Sequence, residues 1–400
     1  MSTDIIRLYD RSRTAQDWKC PRSRYLGYEL DNKGITASNK GLELFIGQTL
    51  HDGLAVMATR SVGIDDIAQA AHQQVLEALQ PANGEVDTLN FAREQAALVE
   101  GLLRGFHRAV WPRMMAQYPR IIMIEQELIY DHDGLRFMSK PDLVVADTEG
   151  AIWYIEFKST SSKKEGWINQ WDTAIQLHST IRAIEQTLGG EKVTGVIVQG
   201  MYKGYESYGK QSSPFCYSYQ RKGTPPFSKD EVRYDYAAGF KRYPTWELQG
   251  GVKTWVEGMP ETILTEQFPC SPPIFVKEEM VDTWFRERAD REQQIFVAMH
   301  TLKEIEDPEE RDRVLELVFP HNFSACNPGF GAPCPYRRIC HGGLQDPLNN
   351  GFEYRVPHHQ PEAEQQAAGI VPRPKGLSPE LERLTTAMVE KFNDAKNEPA

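Results

Sequence analysis

The stretch PDLVVADTEGAIWYIEFK, residues 141–158, decides how this chain folds. Leu143-Val144-Val145-Ala146 and Ala151-Ile152-Trp153-Tyr154-Ile155 are short apolar runs, and Asp147-Thr148-Glu149-Gly150 between them supplies turn residues. The pattern predicts two antiparallel strands joined by a tight turn. Side chains alternate along a strand, so Glu156 and Lys158 share one face while Phe157 points toward the core. Asp142, at the head of the first strand and fourteen residues before Glu156, is then expected across from them.

Two hard carboxylates, completed by waters and a substrate phosphate, suit Mg²⁺ or Mn²⁺. A lysine beside such an ion can orient or deprotonate an attacking water, and hydrolysis of a phosphodiester needs that combination. The plain alternative is a Pro-Asp pair opening a strand and an E-x-K on an exposed strand face, both common, so the context has to decide.

Upstream, Gly47-Gln48-Thr49-Leu50-His51 opens an apolar-periodic segment with Leu54, Ala55 and Ala58, which places His51 in the first turn of a helix. Downstream, residues 165–188 read as a second helix, with Trp167, Trp171, Ala174, Ile175 and Ile181 at helical spacing and Gln176 and Thr180 on one side. A structural histidine and a solvated glutamine are the alternatives for these two.

With these residues the chain resembles the PD-(D/E)xK nucleases, and within them the RecB-like branch. The pattern of that branch, G-x-x-x-H, an Asp, an acidic-x-Lys and a helical Gln, occurs in order as Gly47/His51, Asp142, Glu156/Lys158 and Gln176. The family often carries a Tyr a few residues after the Gln, whereas Leu177-His178-Ser179-Thr180 follows here. The resemblance implies an α/β fold with a mixed central sheet flanked by helices, a restriction-endonuclease-like core. It implies His51, Asp142, Glu156 and the Phe157 carbonyl as metal ligands, Lys158 positioning the water, and Gln176 touching substrate or holding the lysine. The implied activity is a Mg²⁺- or Mn²⁺-dependent deoxyribonuclease. Relatives act mostly as exonucleases on single strands or duplex ends in recombination, repair or phage DNA processing.

Six cysteines occur, and three crowd one Gly/Pro-rich segment as Cys326-x7-Cys334-x5-Cys340. Such a loop buries little apolar surface, and metal ligation would explain its order. A fourth ligand would come from Cys20, Cys216, Cys270 or His341. Trp18-Lys19-Cys20-Pro21-Arg22-Ser23-Arg24-Tyr25-Leu26 is similar to the N-terminal segment of RecB-like nucleases with a four-iron, four-sulfur cluster, in which one Cys lies near the N-terminus and three follow the catalytic core. That likeness implies Cys20, Cys326, Cys334 and Cys340 as the cluster ligands, although the x7 gap exceeds the usual two. Four thiolates serve zinc as readily, and three free buried cysteines are the third reading. A disulfide framework is not expected, since no secretory signal opens the chain.

A chain of 400 residues ordinarily suggests two or three domains. The cysteine bracket argues instead for one nuclease domain over 1–345, with a β-rich, aromatic insertion at about 202–260. A Pro/Gln-rich linker over 346–400 would end in a short helix from Pro379 to about Asn393, with Ser378 as its N-cap. His358 and His359 fall in that linker and read as solvated. No run of eighteen apolar residues occurs, so a cytoplasmic protein of a bacterium or a phage-infected host is expected.

The net charge of −11 argues against broad electrostatic attraction to nucleic acid. A local basic groove on an acidic body would still serve. Its expected lining is residues 202–246, where Tyr202, Tyr205, Tyr208, Phe215, Tyr217 and Tyr219 interleave with Lys203, Lys210, Arg221 and Lys222. Tyrosines packed on the core are the alternative. No helicase P-loop of the form G-x-x-x-x-G-K-[ST] is present, so unwinding would come from a helicase, recombinase or other DNA-processing partner. Residues 67–79, 89–115 and 281–302 read as helices and 120–130 as a strand, whose Glu125 or Glu127 faces either the metal or a cross-strand partner. A catalytically silent DNA-binding subunit that keeps the fold is the competing reading, and a zinc-stapled hydrolase of smaller phosphate esters is a third.

Overall fold

The structure is a computed structural model that describes residues 8–38, 42–79, 86–132, 135–160, 167–168, 170–171, 174–202, 232–233, 245–246, 268–327, 333–342 and 346–356. Most of the aromatic insertion, Cys216, His358 and His359, and the expected C-terminal helix lie outside these residues, as does the Gln176 side chain. The chain divides into two compact units, one formed by 1–39, 129–139 and 277–400 and the other by 40–128 and 140–276.

The first unit opens with strand β1 (Leu8–Asp10), helix α1 (Arg11–Lys19) and the short α2 (Pro21–Arg24). Asp10 caps α1 by accepting from the Arg13 amide at 2.7 Å, and Pro21 starts α2, where its missing N–H costs nothing. Strand β2 (Ile35–Ala37) pairs at the far end of the chain with β12 (Phe352–Tyr354). Composition placed residues 346–356 in the linker, yet Phe352 is buried there and Arg355 donates to the Gly27 carbonyl at 2.7 Å. Strands β4 (Leu128–His132) and β5 (Leu135–Ser139) form a sheet in the order β1-β5-β4, β1 running parallel to β5. Helices α8 (Glu278–Glu304) and α9 (Pro308–Val318) pack Ile295, Leu302, Leu315 and Val318 against Tyr25, Ile35 and Tyr336, and α10 (Arg337–Cys340) carries the last cysteine. At the centre, fully buried Arg24 pairs with Glu29 at 2.9 Å and, through both terminal nitrogens, with Glu292 at 3.0 and 2.8 Å.

The second unit is built on a five-stranded sheet in the order β11-β8-β7-β6-β3. Its strands are β3 (Arg120–Ile124), β6 (Leu143–Ala146), β7 (Ile152–Thr160), β8 (Val193–Tyr202) and β11 (Ile274–Phe275). The expected hairpin forms: Leu143 pairs with Ile155 and Ala146 with Ile152, while the Asp147 carboxylate closes the turn by accepting from the Glu149 and Ala151 amides, each at 2.9 Å. Strand β7 runs parallel to β8 and the other pairs are antiparallel, so the sheet is mixed. Helices α3 (Leu42–Thr59), α4 (Ile64–Leu79), α5 (Val86–Ala109) and α6 (Trp111–Gln117) cover one face. Leu54, Leu102 and Phe106 meet Leu143, Val145, Ile155 and Phe157 there. Burying a ring such as Phe157 contributes about 1.5–3 kcal/mol. Helix α7 (Ile175–Thr187) packs along β8. A two-residue pair, β9 (Val232–Arg233) with β10 (Thr245–Trp246), is described from the insertion.

Four departures from the sequence expectation have local causes. The helix expected over 89–115 breaks at Val110, because Pro112 fits only the first turn of a new helix. The strand expected over 120–130 breaks at Glu125, whose φ is 45°, and its two halves join different sheets. Apolar residues Leu42, Phe45 and Ile46 extend α3 upstream, so His51 stands in its middle rather than in its first turn. Among the described residues the helix expected over 165–188 is interrupted: Trp167 and Ile168 are helical, Gln170 and Trp171 lie in a turn and a bend, and a helix follows from Ile175 to Thr187. Trp167 and Trp171 mimic helical spacing but form an edge-to-face pair at 5.4 Å, and Trp167 fills the space over Gly200.

Candidate functional site

The hairpin register places Asp142 opposite Glu156, one residue beyond the Leu143–Ile155 pair. Both carboxylates are buried. Oδ2 of Asp142 accepts from the Phe157 amide at 2.6 Å, which fixes the side chain across the strands. Oδ1 of Asp142 faces Nδ1 of His51 at 3.2 Å. Glu125 joins them, its Oε1 lying 3.6 Å from the same His51 nitrogen and its amide donating to the Asp142 carbonyl at 3.1 Å. His51, Glu125 and Asp142 each bring a ligand atom within 4.8 Å of the others, a group suited to one cation.

The backbone of Glu125 is left-handed, a conformation that costs a non-glycine residue free energy and persists where the surroundings enforce it. Here it ends β3 and turns the carboxylate toward His51, while Lys140 pairs with the second carboxylate oxygen at 2.6 Å. Glu156 points to the same side of β7 as Lys158, as the two-residue period requires, and its carboxylate accepts from both Lys158 Nζ and the buried Tyr154 hydroxyl. Phe157, between them, packs edge-to-face on Phe106 at 5.7 Å.

These contacts set the charges. Burial, followed by the Glu156 carboxylate, pushes the Asp142 pKa up, and His51 and Lys158 only partly offset this. Burial works against the His51 imidazolium, but the Asp142 carboxylate and hydrogen bonds to Asp142 and Glu125 outweigh it and raise the pKa to about 10. Glu125 is held below its usual range, with hydrogen bonds from His51 and Lys140 prevailing over burial. Carboxylates crowded and desolvated in this way favour a cation, which is the electrostatic character of a metal site.

The sequence pattern of the PD-(D/E)XK nuclease superfamily matches residues 12–341. The chain belongs to that superfamily. No curated protein matches it. Members use divalent metals to hydrolyse DNA, and this nuclease has a His/Glu/Asp group able to hold one. Among the described residues no helix is long and apolar enough to cross a membrane.

Of the residues singled out in the sequence, His51 and Asp142 lie in direct contact, and Glu156 and Lys158 bond to each other on the neighbouring strand. Gln176 lies in the first turn of α7. Glu125, which sequence reasoning left between metal and cross-strand roles, sits in the group with His51 and Asp142. Lys140 and Tyr154 were not singled out, although Tyr154, two residues before Glu156 on a strand, was legible as sharing its face.

In the other unit Cys20 and Cys326 are buried, Cys334 and Cys340 half-buried, and the Cys334 amide donates to the Cys326 carbonyl at 3.1 Å. Cys20, Cys326 and Cys334, with Gln16, Lys19 and Ser23, line a cavity of about 320 Å³. Burial, and after it the proximity of Cys334, Cys20 and Cys326, pushes the Cys340 thiol up to about 11. The neighbouring cysteines thus add to burial in disfavouring ionisation of Cys340. Cys270 belongs to the sheet unit, where its backbone bridges to Gln199.

Proposed function

We propose that this nuclease trims DNA from single-stranded or duplex ends, using Mg²⁺ or Mn²⁺, in recombination, repair or phage DNA processing. The observation that carries the reading is the register of the hairpin, which sets Asp142 against Glu156 and Lys158 while His51 and Glu125 converge on Asp142. His51, Glu125 and Asp142 would hold the ion, with Glu156 and the Phe157 carbonyl completing its protein ligands. A bound divalent ion polarises the scissile phosphate and makes its water more acidic. Lys158 Nζ holds the attacking water beside Glu156. The water oxygen forms a bond to phosphorus, the bond from phosphorus to the departing sugar oxygen breaks, and the proton lost by the water is balanced by one gained at that oxygen. Gln176 orients the substrate or the lysine. Asp142 is held by the Phe157 amide and Glu156 by the Tyr154 hydroxyl, so the site is preorganised before substrate arrives.

Cys20, Cys326, Cys334 and Cys340 would hold a four-iron, four-sulfur cluster, with zinc as the alternative. A single zinc ion at 2.3 Å from each sulfur draws tetrahedral thiolates to about 3.8 Å from one another. The cysteines are absent from the compact metal-suited groups among the described residues and instead border a cavity, which favours a larger group. Such a staple would close residues 1–345 into one working nuclease, with residues beyond about 356 as a tail. The protein would work in the cytoplasm beside a helicase, recombinase or similar partner.

The test compares end-labelled linear DNA with closed circular single strands under Mg²⁺ or Mn²⁺, using anaerobically purified protein whose iron, sulfide and zinc contents are measured. Cleavage confined to linear DNA, releasing short products from the ends, supports the reading. Cutting of circles contradicts the exonuclease assignment, and zinc without iron contradicts the cluster.

A further inference from the structure

Two large rings stand open to solvent on the surface around the cysteine bracket. Trp18 is 52% exposed and Phe323 is 68% exposed, although both lie in ordered segments beside buried core. Each is braced from behind. The Trp18 ring covers the Arg288 guanidinium at 4.9 Å, and Phe323 stacks nearly parallel to His321, with centroids 5.6 Å apart and planes 9° apart. His341 adds a third ring at 6.1 Å from Phe323. The two segments are tied together, since the Asn322 side chain donates to the Lys19 carbonyl at 2.8 Å and the Arg22 amide to the Pro320 carbonyl at 3.3 Å. Burial, and then the nearby charge of Arg22, hold the His321 imidazole below its usual range, with Glu316 acting in the opposite sense, so this ring is neutral and free to stack.

The charge of this surface is opposite to that of the chain. Residues 317–345 contain no Asp or Glu in a chain that has 56 of them, and they carry Arg337 and Arg338, both exposed. Residues 11–24 hold five Lys or Arg against Asp17, which is spent on Arg291 at 3.0 Å. Exposed Lys19 follows Trp18 directly, and its carbonyl is the one that Asn322, next to Phe323, holds. Braced rings interleaved with cations, on an otherwise acidic protein, match the chemistry of single-stranded nucleic acid: unpaired bases stack on the rings while phosphates follow the cations.

We propose that Trp18, Phe323 and His321, with Lys19, Arg337 and Arg338, form a stacking platform for single-stranded DNA. The platform deepens the nuclease reading by naming the surface that takes the strand.

The experiment measures binding of a fluorescein-labelled oligothymidylate, longer than a site of about 4–16 nucleotides, to the full-length protein in EDTA. Wild type is compared with Trp18→Ala, Trp18→Phe, Phe323→Ala and the pair Arg337→Gln/Arg338→Gln. Each alanine variant is expected to weaken binding about tenfold, and Trp18→Phe to restore most of it, since stacking and not a base-specific contact is lost. The arginine pair is expected to lower the slope of log affinity against log salt by about 1.4, two phosphates at about 0.7 each. Phe323 is exposed enough that its removal tests binding and not folding. Unchanged affinity and salt slope in these variants would overturn the platform, including the case in which the rings prove to be needed for self-association. Cleavage by wild type alongside unchanged binding in the variants leaves the nuclease standing and the platform refuted. Weakened binding in a protein that cleaves nothing does the reverse.

Discussion

Nδ1 of His51 lies 3.2 Å from Oδ1 of Asp142, and that carboxylate outweighs burial to raise the His51 pKa to about 10, so a proton on the ring competes with a cation for the same carboxylate. Both groups are held by structure on either side, His51 by the middle of α3 and Asp142 by the Phe157 amide. Metal binding therefore has to displace a proton.

The pH dependence follows from the sign of that shift. The His51 pKa is raised in the folded protein, to about 10, so its contribution to stability is fully present below the unfolded value near 6.5 and is lost as pH rises to about 10. In EDTA, the melting temperature of wild type should exceed that of His51→Ala most at pH 6, with the difference shrinking toward pH 10. A gap that widens with pH contradicts the pairing. Mn²⁺ affinity should rise over the same range.

Glu125 spends backbone strain to reach the site, which argues that its carboxylate has work there. Glu125→Gln should weaken Mn²⁺ binding in calorimetry by about 10–100-fold, the range seen even when only an outer partner of a metal ligand is lost. Lys140→Ala, which releases the second oxygen of Glu125, should have a smaller effect in the same direction. Unaltered affinity in Glu125→Gln would remove it from the ligand set.

The Tyr154 hydroxyl donates to the buried Glu156 carboxylate. Tyr154→Phe keeps the ring and removes that bond, so urea unfolding should show a loss of about 1.5–3 kcal/mol, the range for a hydrogen bond to a charged group. Cleavage should fall as well, because Glu156 is then free to turn away from Lys158.

In the cysteine-bearing unit, Arg24 is wholly buried between Glu29 and Glu292. Removing it leaves two buried carboxylates without their cation, and Arg24→Ala should cost about 3–5 kcal/mol in denaturant unfolding. Replacing Arg24, Glu29 and Glu292 together by apolar residues of similar volume should cost less than the single change.

The hairpin and the placement of Asp142, Glu156 and Lys158 were legible because the signal is local: two apolar runs, a turn and a period of two decide where these residues stand. The mixed sheet was implied by the family resemblance and not by these runs, which announce only the antiparallel pair. Glu125 was legible only as one of two options, with Glu127, for either a metal or a cross-strand role, since nothing in Ile124-Glu125-Gln126 announces the left-handed residue that turns it toward His51. Trp167 and Trp171 read as one helix with Ile175, but Trp167 is helical while Trp171 lies in a bend, and the two rings meet edge-to-face with Trp167 over Gly200. The stacking surface was missed because exposure is a tertiary property: Trp18 was read only as part of the segment around Cys20, and Phe323 was not singled out.

The most direct test of the account is cleavage of end-labelled DNA by wild type, Asp142→Ala and Lys158→Ala in Mg²⁺ or Mn²⁺. The geometry predicts that wild type cleaves and that each variant loses at least about a hundredfold in rate, the scale for removing one preorganised group from a transition state, while still binding DNA. Firm binding by wild type with no cleavage under any divalent metal, or cleavage untouched by both substitutions, would contradict it.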